Sequence, residues 1–123
     1  MDSTFKQMFE VFKQLGEVSD EKLNFKNGKQ SKFEGKISSK VGDKKVDLGI
    51  LHYNWKRSIG VDKINQAIQQ TEKAGLDGAL MVGNKFSRSA IEQAYRINES
   101  TNKRILLMGS DEIAAAYENI PKY

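Results

Sequence analysis

Cysteine is absent from this chain, and proline, histidine and tryptophan occur once each, as Pro121, His52 and Trp55. Without cysteine there is no disulfide framework and no thiolate metal site. A single histidine excludes a zinc site built on several imidazoles. No apolar run approaches the roughly 18 residues that a membrane-spanning helix needs. The opening Met1-Asp2-Ser3-Thr4 is acidic and lacks the basic-then-apolar order of a secretory signal. These absences point to an intracellular protein, cytoplasmic or nucleoid-associated. Acidic residues are also outnumbered, 16 against 20 lysines and arginines, for a net charge of +4. The shortage is local. Residues 22–45 hold eight lysines against Glu34 and Asp43, a net +6, whereas residues 1–21 are net −3. Such a patch is the footprint of a polyanionic partner. It is equally the composition of a solvated hairpin whose lysines keep sheet edges from pairing with other molecules.

The 123 residues, 38% apolar and 29% charged, suffice for one domain, residues 1–123, around a single core. Ser3 or Thr4 can cap a first helix. Phe5, Met8, Phe9, Phe12 and Leu15 follow at helical spacing up to Gly16. Asn27-Gly28 and Gly42-Asp43 are turn signals. They divide the lysine-rich segment into a short strand near Leu23–Lys26 and a second near Lys32–Lys40. A third strand, about Lys45 to Trp55, completes an antiparallel hairpin with the second and is apolar enough to be central. Val61, Ile64, Ala67, Ile68 and Thr71 then mark a helix ending at Ala74-Gly75. Asp77–Val82 reads as a strand. A helix follows from Asn84 or Ser87 to about Arg96, with Ala90, Ile91 and Ala94 inward. Arg104–Met108 reads as a last strand, and Ser110 caps a last helix whose Asp111 and Glu112 suit its dipole. Pro121 closes the chain. Short apolar strands alternating with helices imply a parallel pair covered on both faces. The fold class is therefore α/β: a mixed central sheet flanked by helices, with the Lys45–Trp55 strand beside Asp77–Val82.

The chemistry concentrates between Val46 and Ile64. Strand side chains alternate faces, so His52, Asn54 and Lys56 share one face and Tyr53 and Trp55 the other. An amide followed two residues later by a lysine, at the end of a core strand, can hold a metal ion and a water beside a phosphodiester. Strand ends also carry Asn and Lys simply because they meet solvent. His52 can act as a proton shuttle or as an ordinary hydrogen-bonded neighbour. Tyr53 and Trp55 suit core packing against a helix, and Trp55 also suits base stacking.

Four segments in order carry a resemblance. They are Asn54-Trp55-Lys56-Arg57-Ser58-Ile59-Gly60-Val61, Lys73-Ala74-Gly75-Leu76-Asp77-Gly78, Val82-Gly83-Asn84-Lys85-Phe86-Ser87, and Ile105-Leu106-Leu107-Met108-Gly109-Ser110-Asp111-Glu112-Ile113. Their arrangement resembles the Mrr-like branch of the restriction-endonuclease-like, PD-(D/E)xK, nuclease superfamily. In that branch a core strand ends in Gln-x-Lys-Arg and a Val/Ile-Gly step opens the next helix. The likeness covers about residues 50–115. It implies a restriction-endonuclease-like fold, a nucleic-acid partner and Mg²⁺-dependent phosphodiester hydrolysis. Carried over by position, Glu34, Asn54 and Lys56 would be catalytic, with Glu34 and Asn54 holding the metal. Lys29, Lys32, Lys36 and Arg57 would contact nucleic acid. A chain this small would choose its target with a second copy or a partner protein.

The departures are specific. The Gly-x-Asp that the family places upstream is missing, and Asn54 stands where the family has Gln or Glu. Asp47 falls by strand parity on the face opposite Asn54 and Lys56. Glu34 with the Asn54 amide is a thin ligand set unless Glu10 or the Trp55 carbonyl contributes. Two functions follow: a metal-dependent nuclease, or a nuclease-fold module that has lost catalysis and binds nucleic acid or a protein.

Overall fold

A computed structural model describes residues 3–19 and 23–120. The side chains of residues 3–5, with the expected cap and Phe5, lie outside this part, as does Pro121. The chain runs α1 (Ser3–Lys13), β1 (Glu17–Ser19), β2 (Gly35–Val41), β3 (Lys44–Tyr53), α2 (Val61–Ala74), β4 (Gly78–Gly83), α3 (Arg88–Ser100), β5 (Arg104–Gly109), α4 (Ser110–Glu118). One mixed sheet has the order β1-β2-β3-β4-β5. The first two pairings are antiparallel, and β3–β4 and β4–β5 are parallel. The expected hairpin about Gly42 and the parallel neighbour of β3 are both present.

Alternation along the strands divides the core into two layers. Leu51, Ala79, Met81 and Ile105 pack with Ile64, Ala67, Ala90 and Ala94 of α2 and α3. Leu48, Ile50, Leu80 and Val82 pack with Met8, Phe12 and Ile113 of α1 and α4. β4 is buried along its whole length, as a strand covered on both faces must be. Gly49 leaves room on the first face for the ring of Phe33, which a β-carbon there would strike. Phe33 is fully buried and ties the lysine-rich segment to the core. α2 ends on Gly75 in the left-handed region, φ 71°, whose N–H reaches the Thr71 and Glu72 carbonyls. Ser87 caps α3, its Oγ accepting from the Ala90 N–H at 3.1 Å. At α4 the cap position falls on Gly109 rather than Ser110, which is already helical; the Gly109 N–H donates to Glu112 Oε1 at 3.1 Å.

Several expectations are corrected. The strand near Leu23–Lys26 reduces to a single Asn24–Gln30 bridge around the Asn27-Gly28 turn. Its backbone bonds close a small hairpin, Phe25 N–H to the Lys29 carbonyl at 2.7 Å and Ser31 N–H to the Leu23 carbonyl at 2.9 Å, while the Lys26 N–H reaches the Lys73 carbonyl at the end of α2 at 2.9 Å. The edge strand β1 was not foreseen, because three residues are too few to show a period. β2 begins at Gly35 and β3 stops at Tyr53, two residues short of Trp55. α3 runs on to Ser100, and its inward face is Ala90, Ala94 and Ile97, which leaves Ile91 53% exposed. Leu15 is also exposed, since α1 stops at Lys13 and the chain turns away.

Candidate functional site

The early end of β3 decides the site. Its last pairs with β4 are His52 with Val82 and Tyr53 with Gly83. The chain then leaves the sheet through Asn54–Ser58 and returns at Ile59, which bridges Phe86 and is almost fully buried. Asn84 pins the excursion by donating its amide to the Trp55 carbonyl at 2.7 Å. The resulting concavity lies at the carboxyl end of β3, the strand end at which open α/β sheets commonly place their binding crevices.

That concavity has a volume of about 390 Å³, within the range of small-ligand pockets. The strand side supplies His52, Tyr53 and Trp55, and the approach to β2 supplies Lys32 and Glu34. Helix α2 contributes Lys63, Gln66 and Gln70, three and four residues apart on one helical face. Trp55 meets Tyr53 edge-on, with ring centroids 5.1 Å apart. The Arg57 guanidinium lies 4.4 Å from the Trp55 ring centroid and the Lys63 ammonium 5.4 Å from it, both cation–π distances. The Lys63 ammonium donates to Gln66 Oε1 at 3.4 Å, and Gln70 Oε1 accepts the Lys32 N–H at 3.1 Å. Burial, then the nearby Asp62 charge, pushes the Tyr53 phenol up to about 12. Tyr53 is therefore a neutral hydroxyl at physiological pH.

The structure thus brings together some of the residues expected from sequence and not others. Glu34 and Lys32 stand in the cavity wall; Asn54 and Lys56 do not, being exposed residues beyond the end of β3. Trp55, between them, does. Arg57 is exposed and joins the site through Trp55. Lys29 sits in the tight turn, its N–H bonded to Asn27 Oδ1 at 3.0 Å, and Lys36 pairs with Gly49 within the sheet. Asp47 accepts the Ser38 hydroxyl at 2.6 Å while its N–H donates to Asp77 Oδ2 at 2.8 Å, so it serves the sheet. Glu10 pairs with Lys13 at 3.1 Å, and the Trp55 carbonyl is taken by Asn84. Lys63, Gln66 and Gln70 were not singled out from sequence. Their signal was present in the polar stripe beside the apolar stripe of α2.

A magnesium site fits these donors poorly. Magnesium takes oxygen ligands in octahedral array, carboxylates among them. Glu34 is the one carboxylate among the described residues of this wall, and it shares the wall with Lys32 and Lys63. Among the described residues no three His, Asp or Glu side chains gather as a metal-binding group. No described helix is long and apolar enough to cross a membrane.

No family model and no curated protein matches the chain. A solved structure does: the DNA modification-dependent restriction endonuclease AspBHI, with a TM-score of 0.56 at 12% sequence identity. The match covers 94% of this chain and 35% of that one, so the present chain spans about a third of its structural neighbour's length. At this identity the likeness is one of fold. The five-stranded mixed sheet with helices on both faces is restriction-endonuclease-like.

Proposed function

We propose that this restriction-endonuclease-like domain is a divergent Mrr-like module that binds nucleic acid without hydrolysing it. The observation that carries this reading is the makeup of the cavity at the strand ends: lysines, an arginine-covered tryptophan, a neutral tyrosine and two amides, against a single carboxylate among the described residues. Cations attract the phosphate backbone, and aromatic faces take up bases. Hydrolysis of a phosphodiester by a PD-(D/E)xK site needs clustered carboxylates to hold a metal that activates water. Glu34 alone does not supply them.

A second reading keeps Mg²⁺-dependent cleavage, with Glu34 and Asn54 as ligands and Lys56 neutralising charge. It is favoured by Glu34 and His52 lining the same cavity at the end of β3. One set of measurements separates the two. Binding of a labelled oligonucleotide at rising salt is expected to weaken steeply, as counterion release requires. Plasmid nicking with millimolar Mg²⁺ or Mn²⁺ is expected to be absent, and Asn54→Asp is expected to gain no thermal stability from either metal. Nicking that disappears in Glu34→Ala and Lys56→Ala would establish the nuclease instead. Absence of binding at low salt would remove nucleic acid from both readings.

A further inference from the structure

We infer that the cavity between Trp55 and α2 is a pocket for one unpaired nucleotide, so that the domain prefers single-stranded or locally unstacked nucleic acid to intact duplex. This rests on the nucleic-acid reading above and adds the form of the ligand. The first argument is shape. A duplex is a convex rod whose bases are stacked out of reach, whereas the site is a concavity of about 390 Å³ sunk between a strand end and a helix. Only a base turned out of its stack can enter it.

The second argument is the distribution of chemistry on the walls. Trp55 is partly exposed and already carries a planar cation, the Arg57 guanidinium, at 4.4 Å. Arg57 is itself exposed, so a base can replace it on the ring and release the guanidinium to a phosphate. Lys32 and Lys63 supply positive charge at the cavity from two different elements. They suit the phosphates on either side of an inserted base. The amides of Gln66 and Gln70 lie on the same face of α2. Gln70 has its oxygen occupied by the Lys32 N–H, which leaves its NH₂ group as a donor to a base carbonyl. Tyr53, held as a neutral phenol, braces the tryptophan edge-on at 5.1 Å. A simple phosphate-tracking surface would need the lysines alone. Tyr53 and Trp55 also pack against the core and the amide oxygens already hold Lys32 and Lys63, but the partly exposed ring of Trp55 and the amide NH₂ groups offer a base more than lysines alone would.

The chain's single tryptophan makes the test direct, because every change in indole emission comes from Trp55. Three probes of equal length are titrated into the intact protein: a single strand, its blunt duplex, and a strand of abasic residues with the same phosphates. The single strand is expected to quench Trp55 and to bind about five- to a hundredfold more tightly than the other two, the range that one stacked base supplies. By anisotropy, Trp55→Ala is expected to lose that preference and Trp55→Phe to keep most of it. Gln66→Ala, at an exposed position, removes an amide without disturbing the core and is expected to weaken the single strand only. Equal affinity for single strand, duplex and abasic strand would overturn the pocket while leaving nucleic-acid binding in place. No binding of any probe would overturn both. If Trp55→Ala fails to fold, the abasic comparison and Gln66→Ala still decide the question.

Discussion

The two ends of the sheet carry two hollows of opposite character. At the carboxyl end of β3, on the α2 side, lies the cavity of about 390 Å³ walled by lysines, aromatic rings and amides. At the other end, on the side of α1 and α4, lies a larger groove of about 590 Å³ lined by Ile37, Val46, Leu48, Leu80 and Leu106. The larger hollow is the one with less chemistry. It exists because α1 and α4 are short. Eleven and nine helical residues extend about 16 and 13 Å, while the ten residues of β3 extend about 33 Å. The two helices pack against each other and cannot cover the starts of the strands. The smaller hollow exists because β3 stops early and the chain loops out before α2.

Four changes test whether the two hollows differ as described. Phe33→Ala has the largest expected effect, since Phe33 is fully buried behind the polar cavity and fills the space above Gly49. Truncating a buried phenylalanine costs about 3–5 kcal/mol, and a chemical-denaturation midpoint reads it. A loss below about 1 kcal/mol would mean that the lysine-rich segment is not anchored as described.

Replacing Lys32 and Lys63 together by Ser is expected to leave the fold intact and to lower oligonucleotide affinity at low salt by about tenfold or more. On a single strand the salt slope should flatten by about 0.7 for each phosphate that is no longer neutralised. The same pair of changes at Lys44 and Lys45, at the opposite end of the sheet, should lower affinity far less. Equal losses would reduce the cavity's contribution to general charge.

The third change concerns Tyr53 and pH. Its folded pKa, about 12, lies above the unfolded value of 10.0. The unfolded chain therefore gives up this proton first, and the native state loses stability as pH rises through that interval. The stabilisation is fully present below about pH 10 and declines toward pH 12. Thermal melts across this range should show a smaller alkaline loss for Tyr53→Phe than for the parent protein. Parallel curves would mean that Tyr53 is as solvated as a free phenol.

The smallest effect is expected in the apolar groove. Leu106→Ser, at a side chain 44% exposed, should shift stability by no more than about 0.5 kcal/mol and leave oligonucleotide binding unchanged. A clear loss of binding there would make the groove part of the interface and undo the contrast.

Much of this organisation was legible in the residues. The periods of α2, β4 and α3, the turns at Asn27-Gly28 and Gly42-Asp43, and the Gly75 stop are local signals, and the chain obeys them. The candidate cavity also lies at the end of the third strand, but Asn54 and Lys56, expected there from sequence, stand outside its wall. The pairing of functional residues was not legible. Alternation put Asn54 and Lys56 on one face with His52, but it holds only while the strand continues, and β3 ends at Tyr53. Glu34 was named from its position alone, and its neighbours in the cavity come from a helix some thirty residues later.

The α/β class, the parallel pair, the shortage of carboxylates near the strand end and the excess of lysine ahead of it are written in the residues. These are properties of composition and of short-range periodicity. Which of those lysines face a cavity depends on how distant segments dock. Lys29 was drawn into a turn and Lys36 into a ladder, while Lys32 came to lie opposite Lys63 and Gln70 of α2. The reason is physical: backbone hydrogen bonds must be satisfied locally, and the segment that satisfies them against the end of α2 carries its side chains wherever that docking points them.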